Sequence, residues 1–135
     1  MAMIISEISQ IDRLVEEALG SAELLLTMSM VDYAYVKEQS VSLKAIKIDV
    51  PVLTHEAVQL IEEAINEAGV DNVSNLLYHI RCNSTTDSEN AITLGQVNML
   101  IELLNRYFAE VDLICGMGVN DEKSVSILII LGYDK

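Results

Sequence analysis

Apolar residues recur along this chain at two periods, and the switches between them divide it into elements. Ile8, Ile11, Val15, Ala18, Ala22 and Leu25 are spaced by three and four residues, the mark of one helical face. Leu14, Leu19, Leu24 and Leu26 widen that stripe, which predicts a long N-terminal helix over residues 7–28, covered on two sides. Ser6 or Ser9 would cap it, and Gly20 would be its weak point. A turn at 28–30 then leads to a short helix over 31–38. Residues 41–50 read as a strand that changes phase, with Val41, Leu43 and Ala45 on one parity and Ile46, Ile48 and Val50 on the other. Alternation puts the two sets on opposite faces, so a bulge or twist is predicted near Ala45. Pro51, the only proline, ends the strand.

Thr54 stands where a helix cap belongs, before a run to Ala68 with Ala57, Ile61, Ala64, Ile65 and Ala68 inward and Gly69 as the stop. Leu76, Tyr78, Ile80 and Cys82 alternate with Leu77, His79, Arg81 and Asn83 as a strand, and the polar run 83–90 reads as an exposed loop. Thr93 with Gln96 forms a capping box for a helix through Phe108, whose inward residues are Val97, Leu100, Ile101, Leu104 and Phe108. Residues 111–116 and 124–132 read as two strands joined in a hairpin by a turn at 120–123.

The order after residue 38 is βαβαββ. It predicts an α+β two-layer sandwich: a mixed four-stranded sheet backed by two helices and preceded by the long N-terminal helix. Leu77, Ile114, Leu128 and Ile130 all fall on the parity away from the two helices. That second face needs a cover, supplied by the N-terminal helix or by another copy of the chain.

Composition narrows the function. At 135 residues the chain is a single domain over 1–135, long enough to bury roughly two thirds of its unfolded surface. A formal charge of -13, from 21 acidic and 8 basic residues, repels phosphate backbones and anionic headgroups and argues against nucleic-acid or membrane-surface binding. Cys82 and Cys115 lie in apolar runs and read as reduced core thiols, and no Cys or His pair has metal-ligand spacing. The start lacks a signal-peptide pattern and no apolar run approaches the roughly 20 residues of a membrane span, so a cytoplasmic location is expected.

Three stretches carry a family resemblance. Ile92-Thr93-Leu94-Gly95-Gln96-Val97, Val111-Asp112-Leu113-Ile114-Cys115-Gly116 and Ser124-Val125-Ser126-Ile127-Leu128-Ile129-Ile130-Leu131-Gly132 resemble, in order and spacing, the last third of the bacterial division GTPase FtsZ, of the tubulin/FtsZ superfamily. Asp32-Tyr33-Ala34-Tyr35-Val36-Lys37 is similar to the segment after that family's central helix, and residues 20–25 resemble the helix end. The resemblance covers about residues 10–133, with 7–28 as the central helix and 31–135 as the α/β body of a C-terminal domain. It implies a catalytic loop of one Asn and two Asp that completes the GTPase site of the next subunit, but the matching positions here read Met30, Asp32 and Tyr35. One carboxylate does not reproduce the water-positioning geometry of phosphoryl transfer. The loop before Met30 is about three residues shorter than the family's. The phosphate-cradling Gly-rich loop is absent, and Gly116-Met117-Gly118 opens no helix that could replace it. The strand that is glycine-rich in the family carries Lys44, Ile46, Lys47 and Ile48 instead, a rebuilt surface that fits a domain standing alone.

The expected function is a non-enzymatic module for self-association or protein binding, a homo-oligomer with a dimer as first choice. FtsZ or a tubulin-like GTPase would be the further partner, and no cofactor or metal is expected. Its candidate contacts are Asp32, Tyr33 and Tyr35 with the face of Leu77, Ile114, Leu128 and Ile130. The alternative is a small-ligand-binding or enzymatic α+β oligomer with sites between subunits, for which Arg81, Arg106 and Tyr107 are the candidate anion-binding set. His55 and His79 have no catalytic partners at recognisable spacing and read as structural or solvated. Glu62, Glu63 and Glu67 read as a solvated ridge, and Asn120, Asp121 and Glu122 as a turn rather than a calcium loop.

Overall fold

A computed structural model describes residues 2–20, 23–26, 30–51, 53–83, 94–120 and 124–134. Among these the chain runs β1 (Met3–Ile5), α1 (Ile8–Gly20), β2 (Glu23–Leu26), α2 (Met30–Gln39), β3 (Ser42–Val50), α3 (His55–Ala68), β4 (Val73–Asn83), α4 (Leu94–Phe108), β5 (Asp112–Asn120) and β6 (Val125–Tyr133). The turns at 28–30 and 120–123, the loop at 83–90 and the Thr93 cap fall wholly or largely outside the described residues.

Every residue of β6 is buried. A strand apolar on both parities needs a neighbour at each edge and a cover on each face, so β6 takes the centre of the sheet. The strand order is β1-β3-β6-β4-β5-β2. β6 pairs antiparallel with both β3 and β4, while β4 and β5 pair in parallel. The predicted hairpin between the last two strands is therefore corrected: they run in opposite directions, but β4 lies between them. Gly116 and Gly118 sit inside β5, opposite His79 and Arg81 of β4.

The α+β sandwich holds, with β3, α3, β4, α4, β5 and β6 forming the predicted core. The sheet is wider than four strands because β1 adds to β3, and β2 adds antiparallel to β5 with a register shift between Leu24 and Leu26. β2 also corrects the N-terminal helix. That helix ends at Gly20, and residues 23–26 pair with the edge of β5, whose backbone groups would otherwise lie open. Its start differs as well, since Ser9 lies inside the helix and the Glu7 carbonyl accepts from the Ile11 N–H at 3.0 Å.

The helices occupy both faces of the sheet. On one, α3 and α4 bring Ile61, Ile65, Leu100, Leu104 and Phe108 onto Ile46, Ile48, Leu76, Ile80, Ile127 and Ile129. On the other, α1 and α2 bring Ile11, Val15, Ala18, Tyr33 and Val36 onto Leu43, Ala45, Leu77, Leu128 and Ile130. This double cover explains the phase change in β3. Its register with β6 is regular from Ser42 to Val50, so no bulge forms near Ala45; both parities are apolar because both are buried.

α3 follows its sequence signals closely. The Thr54 hydroxyl accepts from the Ala57 N–H at 3.2 Å, and Gly69, at a positive φ of 101° that side-chain-bearing residues rarely adopt, ends the helix. Lys44 Nζ donates to the Ala68 carbonyl at 2.7 Å and Tyr133 Oη to the Gly69 carbonyl at 2.8 Å, so β3 and β6 satisfy the acceptors that the helix end leaves open.

Candidate interaction surface

α2 has apolar residues on both of its faces. Tyr33 and Val36 point inward and are buried, whereas Met30, Val31 and Tyr35 are 42%, 76% and 46% exposed. Val31 and Tyr35 are four residues apart and so lie one above the other on the outer face, whereas Met30 is turned about 100° away on the helix flank. The inward side is anchored to α1: Tyr33 Oη donates to Asp12 Oδ1 at 2.5 Å, and Lys37 Nζ donates to the same oxygen at 3.0 Å. The ammonium also lies 5.3 Å from the centre of the Tyr33 ring. The hydrogen bonds from Tyr33 and Lys37 hold the Asp12 carboxyl below its usual range, while burial and the bond to Asp12 push the Tyr33 hydroxyl up. Asp32 is half-buried in the first turn, where its charge complements the helix dipole. Of the three residues singled out here from the sequence, only Tyr35 is exposed; Tyr33 is an anchor.

Leu77, Leu128 and Ile130 are buried and Ile114 is partly buried, all beneath α1 and α2. The second face is closed by the chain itself and needs no second copy as a cover.

The anion-binding set is not brought together. Arg81 lies on the α1 side, its Nη1 3.5 Å from the Glu17 carbonyl, whereas Arg106 and Tyr107 both meet Glu62 on α3, at 3.6 Å and 2.7 Å. Glu63 and Glu67 are exposed, as a solvated ridge requires, and so is His55. The thiol of Cys115 is half-buried and burial pushes its pKa up, which makes it a poor nucleophile. No group of metal-ligating side chains occurs among the described residues.

A polar cluster at one end of the α1-covered face is legible only once the register is known. Asp49, Ser126 and Arg81 stand side by side across β3, β6 and β4, and Lys47, Leu128 and His79 form the next row. Ser126 Oγ donates to Asp49 Oδ1, and Lys47 Nζ lies 3.0 Å from Asp49 Oδ2. Burial alone would raise the Asp49 carboxyl, but those bonds and the charges of Lys47 and Arg81 outweigh it and hold the pKa low. His79 is not solvated. It is 1% exposed, and burial, then the Arg81 charge, push its pKa down to about 4.

A central mixed sheet covered by helices on both faces is an α+β architecture, and the outer side of α2 is its exposed apolar helix face. Comparison with solved structures gives the fold. The chain matches a subunit of the TubZ-Bt four-stranded filament with a TM-score of 0.70 and 12% identity, over 92% of this chain and 32% of that one. It matches TubZ of Bacillus thuringiensis serovar israelensis in GDP-form protofilaments with a TM-score of 0.66 and 13% identity, over 96% of this chain and 41% of that one. An FtsZ dimer of M. jannaschii gives a TM-score of 0.59 at 12% identity, over 92% of this chain and 38% of that one. The chain thus has a tubulin/FtsZ-like fold and spans less than half the length of these proteins. No protein-family model and no curated protein sequence matches it. No helix among the described residues is long and apolar enough to cross a membrane.

Proposed function

We propose that this chain is a non-enzymatic assembly module of the tubulin/FtsZ type, cytoplasmic, that self-associates through the outer face of α2. The observation that carries the reading is the fold it shares with TubZ and FtsZ chains recorded as filaments, protofilaments and dimers. The exposed Val31 and Tyr35 supply the surface, because apolar and aromatic side chains stacked on one helix face favour protein contact. Against catalysis stands the Met30, Asp32, Tyr35 set, which lacks two of the three polar groups implied by the resemblance. The dispersal of Arg81 from Arg106 and Tyr107 removes the main support for the ligand-binding alternative.

Light scattering of the chain at micromolar concentration tests self-association: a mass above the monomer is expected, and a monomer would contradict it. A filament-forming relative is the second partner on this reading. Excess chain added to polymerising FtsZ is then expected to change polymer mass or GTP turnover, and no change in either would remove that partner.

A further inference from the structure

We infer that a cavity under the C-terminal half of α1 is a binding site for one internal water molecule, held between His79 and the polar groups of β3 and β6. The cavity measures about 10 Å³ and is lined by Glu17 of α1, Lys47 of β3, His79 and Arg81 of β4, and Ser126 of β6. That volume is about one water-sized sphere, too small for a phosphate or an organic ligand. His79 is 1% exposed, and its Nε2 has no hydrogen-bond partner among the described residues. A buried imidazole nitrogen left in that condition calls for a partner.

The chemistry of the lining selects water over an ion. Nε2 is an acceptor in one neutral tautomer and a donor in the other, and water serves both. Lys47 Nζ is a donor, and Ser126 Oγ, which donates to Asp49, keeps lone pairs free to accept. An occupant that both donates and accepts therefore finds the two to four partners an internal water needs. A metal cation would face the charges of Lys47 and Arg81. Chloride would suit only the donor tautomer. The water would join α1 to the sheet at its polar end, next to the apolar rows of Leu77, Leu128 and Ile130.

A high-resolution crystal structure of the full chain, grown with bromide present, tests the site. The expected result is a single well-ordered peak without anomalous signal, within about 3.2 Å of His79 Nε2 and of a second polar atom. An anomalous bromide peak, a metal or an empty cavity would each overturn the inference. In solution, a nuclear Overhauser effect between a long-lived water and the His79 ring is expected, and its absence in a well-resolved spectrum would count against it.

Discussion

His79 is held neutral where an exposed histidine would titrate. Its pKa stands near 4 in the folded chain against 6.5 for the free side chain, so between those values the unfolded chain binds more protons. The stability that this difference supplies is complete above about pH 6.5 and is lost as pH falls toward 4, at up to about 1.4 kcal/mol per pH unit. The charged groups around the ring are Lys47, Arg81, Asp49 and Glu17, and the two cations oppose its protonation. Urea unfolding at pH 7, 6 and 5 is expected to show falling midpoints, and His79→Gln should flatten the trend in that window. Tyr33 makes a short side-chain bond to α1 on the same face of the sheet. Tyr33→Phe removes the donor to Asp12 and is expected to cost about 1 kcal/mol. The Asp12 carboxyl should then titrate higher by NMR, because the first cause of its low pKa is gone.

Among the elements, α3 was the most legible in the sequence, since its cap, apolar spacing and stop are local and no other part of the chain competes for them. Thr54→Ala is expected to lower stability by about 1 kcal/mol in denaturant unfolding, with little effect on the rest of the fold. The apolar spacing of α4 was local in the same way. What could not be read was set by partners far away in sequence. Leu24, Leu25 and Leu26 fit a helical stripe, yet the open edge of β5 takes their backbone for a strand. The run Ser126 to Leu131 signalled a strand buried on both faces, but its place between β3 and β4 depends on pairings that no local pattern encodes. Ile46 and Ile48 on one parity with Leu43 and Ala45 on the other looked like an irregularity in β3. The same pattern is what two helix layers demand. The Lys47, His79 and Ser126 cluster stayed hidden because its members come from three strands.

At the scale of the molecule, the closed second face separates core from contact surface. Leu128 is 2% exposed beneath α1, so Leu128→Ala should destabilise the isolated chain by about 2–5 kcal/mol in urea unfolding. A residue serving only as an interface would instead lose association and leave monomer stability unchanged. The outer face of α2 has the opposite character: Val31 and Tyr35 are exposed, and charged substitutions there should leave the fold intact. A formal charge of -13 opposes indiscriminate clustering of copies, so an association that does occur must be local and apolar. The most direct test is sedimentation equilibrium across micromolar concentrations, comparing the chain with its Val31→Glu, Tyr35→Glu double variant at matched thermal stability. The apparent mass is expected to rise with concentration for the first and to stay monomeric for the second. A monomer in both, or an association unchanged by the two substitutions, would contradict it.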